Sequence, residues 1–159
     1  MSLVPLSIDR MLCFIKDIRR WMSSNYLQLN EGKTEIIFFG SRHRLAKLSL
    51  SHLDITIGSC KVKPATVVRN LGVLQDESLT MSAHIASLSR SCYAQLHCIS
   101  RIRQFLTIDA SKRIVQALIM SRLDYANVLL HAASANQLKL LQRIQNHSAR
   151  LISGAARTV

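Results

Sequence analysis

A chain of 159 residues with 48% hydrophobic residues is long enough to bury one core, or two small units. Five Gly and two Pro are too few for a disordered chain. Twenty-one Lys and Arg against nine Asp and Glu give a formal net charge of +12, which suits polyanions: nucleic acid or an anionic membrane surface.

Taken in chain order, residues 7–24 carry Ile8, Met11, Leu12, Ile15, Ile18 and Met22 at helical spacing. Ser7 suits the cap, Asp9 suits the positive end of the helix dipole, and Ser23-Ser24-Asn25 ends the helix. "YLQLN" reads as a short extended piece, "NEGK" as a turn around Gly32, and "TEIIFF" as a strand stopped by Gly40. "SRHRLAKLSLSHL" is a polar connector without an assignment. "DITIGSCKVKP" alternates as a hairpin around Gly58-Ser59. "TVVRNLGVLQD" is an extended run with Gly72 inside it, the mark of a bulge or a close backbone approach.

The character changes near residue 80, where three helices follow. The first spans roughly 82–104, with Ile85, Leu88, Cys92, Leu96 and Ile99 on one face and Arg90, His97 and Arg101 on the other. The second runs from about Asp109 to Leu130, and the third from about Ser134 to Gly154, a C-terminal cap. The fold class is therefore α+β: a helix with small antiparallel pairs in 1–80, then a basic three-helix unit in 81–159.

Charge is unevenly shared. Residues 1–80 hold eleven basic and seven acidic residues, a difference of +4, whereas 81–159 hold ten and two, a difference of +8. Arg90, Arg101, Arg103, Lys112, Arg113 and Arg122 are accordingly the candidate phosphate contacts; for any single one, a merely solubilising role is as good a reading. Aromatic residues make up only 5%, so a base-stacking platform is not expected, and binding should be nonspecific.

Cysteines at 13, 60, 92 and 98 form no C-x-x-C pair, and no histidine pair has zinc spacing. Free, mostly buried thiols in a reducing, intracellular compartment are expected, without a metal of their own. No apolar run is long enough to span a bilayer, so no membrane partner is expected. Asp9 and Asp17 argue against reading the N-terminal segment as a transit peptide.

Several stretches share a further pattern. "DIRRWMSSNYLQLNEGKTEIIFFG" fits W-x-x-x-N-x-L-x-L-N-x-x-K-T-E through Trp21, Asn25, Leu27, Leu29, Asn30, Lys33, Thr34 and Glu35. It resembles the late palm region of non-LTR (LINE-type) retrotransposon reverse transcriptases. "VRNLGVLQDESLTMSAHI" is similar to that family's primer-grip segment, and "SRLDYANVLL" and "LQRIQNHSARLISG" to its thumb helices. The resemblance runs from about Ile8 to Gly154.

The resemblance implies an RNA-directed DNA polymerase that uses two Mg²⁺ ions held by palm carboxylates. Those carboxylates lie upstream of the part that aligns, and Tyr125-Ala126-Asn127-Val128 does not replace them: it lacks both aspartates. Asp76-Glu77 is an adjacent acidic pair with a role expected at a helix start. The resemblance thus implies a palm end and thumb without catalysis of its own, holding a primer–template duplex, RNA–DNA or DNA, or joining the missing palm and fingers. Lys33 corresponds to the lysine that approaches the pyrophosphate leaving group; on the residues alone it is a solvated turn lysine. Leu71-Gly72-Val73 corresponds to the hairpin that positions the primer end; on the residues alone it is a core strand with a bulge. Trp21 is expected in the core, and the histidines are assigned no chemistry. The other functional readings are a basic protein-interaction module and a non-functional retroelement remnant.

Overall fold

The computed structural model describes residues 3–47, 55–125 and 127–155. They fall into two compact units, Met1–Thr66 and Val67–Val159. The class is α+β, with two separate two-stranded antiparallel hairpins.

In the first unit, α1 spans Leu3–Ser24. It begins before Ser7, because Pro5 falls in the first turn, where its missing N–H forfeits no helical bond. Met11, Leu12 and Ile15 pack on a small core of Ile36, Ile55, Ile57 and Val62. Trp21, expected inside, is 62% exposed. The helix ends in a reversal in which Tyr26 N–H bonds Ser23 O and Leu27 N–H bonds Met22 O. Tyr26 takes the left-handed position there, at φ 58°, a place that usually falls to glycine.

A 3₁₀ turn at Glu31–Lys33 matches "NEGK". "TEIIFF" does not form the expected strand. Only Ile36 pairs, in a parallel bridge to Pro64. Proline has no N–H with which to extend a ladder. The unassigned connector holds a short helix, α2 (Arg42–Ala46), and its residues 48–53 lie outside the described residues. The expected hairpin is present as β1 (Ile55–Ile57) and β2 (Cys60–Val62), with Ile57 opposite Cys60 and Gly58 at φ 60° in the turn.

The second unit opens with β3 (Val67–Asn70) and β4 (Val73–Asp76), in register Val67 to Asp76 and Asn70 to Val73. The segment read as one extended run is therefore a hairpin. Leu71 and Gly72, at φ 46° and 85°, form its two-residue turn, and positive φ at both central positions matches the right-handed strand twist. The hairpin belongs to the helical unit because β4 packs on α3 (Ser82–Ile102). The division at Thr66 consequently precedes the change of composition near residue 80.

Helix α4 (Ile108–Val115) is capped by the Thr107 hydroxyl. It runs through a π-helical turn (Gln116–Met120) into α5 (Ser121–Asp124). The rod ends there, short of the expected Leu130: Tyr125 is extended at ψ 121°, and a 3₁₀ segment, Asn127–Ala132, follows. Helix α6 (Ala135–Ser153) starts in a Ser134–Gln137 capping box and stops at left-handed Gly154. Ile85, Cys92, Leu96 and Ile99 of α3 meet Val73, Val115, Ile119, Leu123, Ile144 and Leu151 in one core. Arg90, His97 and Arg101 face outward. Of the four thiols only Cys92 is buried; Cys13 and Cys98 are exposed and Cys60 half-buried, against the expectation of mostly buried cysteines. Among the described residues no helix is long and apolar enough to cross a membrane.

Asp76 joins hairpin to helix. Its carboxylate accepts the N–H groups of Ser78 (3.1 Å) and Thr80 (3.0 Å) and the Thr80 hydroxyl (3.0 Å). These bonds hold Leu79 and Met81 at φ 53° and 59°, a conformation neither residue favours. Burial raises the Asp76 pKa, but the Thr80 and Ser78 donors outweigh it and the net direction is down. A depressed carboxylate contributes stability above its unfolded pKa and loses it as the pH falls through the folded one. Asp76→Ala should therefore cost roughly 1–3 kcal/mol at neutral pH in urea unfolding, with the deficit shrinking in acid below the ordinary aspartate range. A deficit that is the same at both pH values would show that the carboxylate charge does not hold the turn.

Candidate nucleic-acid interface

The β3–β4 hairpin, α3 and α5 enclose a cleft of about 390 Å³ in the second unit. Gly72 and Leu74 come from the hairpin together with Arg69, His84 and Ser91 from β3 and α3, and Arg122 and Tyr125 from the end of the α4–α5 rod. Among the described residues no Asp or Glu lines it. Two guanidinium groups therefore share a concave surface without a carboxylate to neutralise them.

Each wall has a local cause. The positive φ values at Leu71 and Gly72 turn the chain tightly, and the Tyr125 hydroxyl donates to the Leu71 carbonyl at 2.5 Å. A side chain at Gly72 would stand 3.7 Å from the Tyr125 ring, an ordinary contact, so backbone conformation and not space is what requires glycine there. The π turn stands directly before Ser121 and Arg122; such wide turns recur beside functional sites. The Arg122 guanidinium donates to the Ser91 hydroxyl.

His84 is buried, and its Nδ1 accepts the Leu74 N–H at 3.4 Å. Burial lowers its pKa, and the nearby Arg69 charge lowers it further, so the ring is neutral at pH 7. Burial pushes the Cys92 thiol up, with the Arg122 charge opposing.

The candidate residues divide. Gly72 and Arg122 meet in this cleft, while Val73 is buried in the core and the Leu71 side chain is 83% exposed. Arg90, Arg101 and Lys112 are exposed. Arg113 pairs with Asp109 at 3.0 Å on the surface of α4. Arg103 is engaged within the fold: its guanidinium donates to the carbonyls of Leu151 (2.8 Å), Ile152 (2.8 Å) and Leu106 (2.9 Å). Those at 151 and 152 are end-of-helix acceptors without a helical partner, and a cation there also suits the dipole.

Lys33 lies in the first unit, exposed in its 3₁₀ turn. The group held firmly beside it is Glu31. The Glu31 carboxylate accepts the Ser59 N–H (2.9 Å) and hydroxyl (3.0 Å) and pairs with Arg19 (2.8 Å). The Ser59 N–H, then its hydroxyl, lower the Glu31 pKa. Gly58 makes room for this: a Cβ there would fall 2.0 Å from Glu31 Oε1.

The residues present do not fit the Mg²⁺ pair that the resemblance implies. Among the described residues no three of His, Cys, Asp and Glu gather as a metal site. The oxygens of Asp76, in the acidic pair Asp76-Glu77, are taken up by the turn before α3. Arg69, His84, Ser91 and Tyr125 were not singled out from the sequence as site residues. The signal for Arg69 was its place directly before the turn at Asn70-Leu71-Gly72. Compared with protein-family models, curated proteins and solved structures, the chain gives no match.

Tyr125→Phe removes the donor to Leu71 and leaves the ring. It should cost the hairpin about 1 kcal/mol, read as roughly five-fold faster amide exchange in Val67–Asp76. Unchanged exchange would show that the phenol does not hold the tip.

Proposed function

We propose that this chain binds the sugar-phosphate backbone of a primer–template duplex, RNA–DNA or DNA, without reading sequence, as the palm end and thumb of a non-LTR retrotransposon reverse transcriptase. The observation that carries this reading is the cleft in which Arg69 and Arg122 stand together with no carboxylate among the described residues. The second unit supports it with eleven basic against four acidic residues. One of those acids, Asp109, is paired, and another, Asp76, is engaged in its turn. In this reading the glycine turn lets a strand approach the hairpin closely, and the arginines neutralise its phosphates. Lys33 is then an inherited leaving-group lysine, with no metal site among the described residues to work beside.

A second reading, a basic protein-interaction module, has its own observation: Val128 and Leu138 are 82% and 47% exposed and line one groove with Leu141. Salt separates the two. Neutralising as few as two phosphates gives about a tenfold loss of affinity between roughly 50 and 200 mM salt. Arg122→Gln should lower the slope of log affinity against log salt by about 1. Fluorescence anisotropy with a labelled RNA–DNA hybrid measures both. A salt-independent affinity, or no binding to the hybrid, would favour the interaction module.

A further inference from the structure

We infer that the cleft also holds a phosphomonoester, the terminal phosphate of a nucleotide or of a strand end, and not the diester backbone alone. The inference rests on the polyanion reading above and names its ligand more closely. A diester carries one negative charge, whereas a monoester carries about −1.5 to −2 at pH 7. Two guanidinium groups without a carboxylate match the second better.

The donors point the same way. The Nδ1 of His84 is occupied by the Leu74 N–H. The neutral ring therefore carries its proton on Nε2, which has no acceptor among the described residues although His84 lines the cleft. The Ser91 hydroxyl accepts from Arg122 and keeps its own hydrogen to donate. An accessible N–H and a hydroxyl beside two cations give an anion in the cleft hydrogen-bond donors as well as charge. The volume of about 390 Å³ accommodates a phosphate together with its sugar.

The test uses the full chain and one short single-stranded DNA carrying a 5′-phosphate, a 3′-phosphate or hydroxyl ends, with AMP as the free nucleotide. A phosphorylated end should bind about tenfold tighter than a hydroxyl end. Arg69→Gln, a change at an exposed position, should abolish that preference. His84→Gln should reduce the preference for the phosphorylated end. AMP that displaces the phosphorylated strand assigns a nucleotide ligand; AMP that fails to, with the end preference intact, assigns a strand end. Equal affinity for all three strands overturns this inference and leaves backbone binding standing. AMP binding that is sensitive to Arg69→Gln, with no strand bound, upholds this inference and overturns the backbone reading. Binding of neither overturns both.

Discussion

The turn organised by Asp76 is the constraint on which the second unit depends. Two non-glycine residues, Leu79 and Met81, sit in left-handed conformations there, and each costs about 1–2 kcal/mol unless its surroundings enforce it. The carboxylate supplies that enforcement through Ser78 and Thr80. The Gln137 amide adds a tie from α6 to the Ser82 hydroxyl at 2.8 Å. Once the turn is set, β4 lies on α3 in a single register. Val73 then enters the core, Leu74 N–H meets His84, and Arg69 comes close enough to depress the histidine. The cleft is a consequence of that register, and Tyr125 holds its outer end through Leu71.

Arginine by itself says little about function here; its surroundings decide. Arg103 and Arg122 belong to the same basic half, yet one binds the carbonyls that end α6 while the other opens onto a cleft without acids. The first guanidinium stabilises a helix end at the cost of its availability. Among the described residues the second bonds a serine hydroxyl alone, so it can turn toward a phosphate. Arg113 lies between these cases, exposed but paired with Asp109, and such surface pairs contribute little. Binding strength should follow the unpaired arginines and not the total of basic residues.

Much of the fold was legible because periodicity reports burial directly. The α3 face of Ile85, Cys92, Leu96 and Ile99, the β1–β2 alternation and the Ser134 and Gly154 limits of α6 were all readable. The failures have separate physical causes. "TEIIFF" has strand propensity, but its one partner is a segment broken by Pro64. The resemblance placed a hairpin at Leu71-Gly72-Val73, but residue pattern alone hid the β3–β4 turn, because its first central residue is a leucine in a conformation that sequence patterns assign to Gly, Asn or Asp. Trp21 was expected in the core because its helix was to pack on a palm sheet, and it is exposed. Of the site, Gly72 and Arg122 were legible from the motif and from charge. His84 and Tyr125 were not, because their roles arise from contacts with Leu74 and Leu71 that only the tertiary fold creates.

The most direct measurement is a map of amide chemical shifts as an RNA–DNA hybrid is titrated into the chain at low salt. The account predicts perturbations concentrated at Arg69, Gly72, Ser91 and Arg122, fading as salt is added. Perturbations centred instead on Val128 and Leu138, or spread without relation to the cleft, would contradict it.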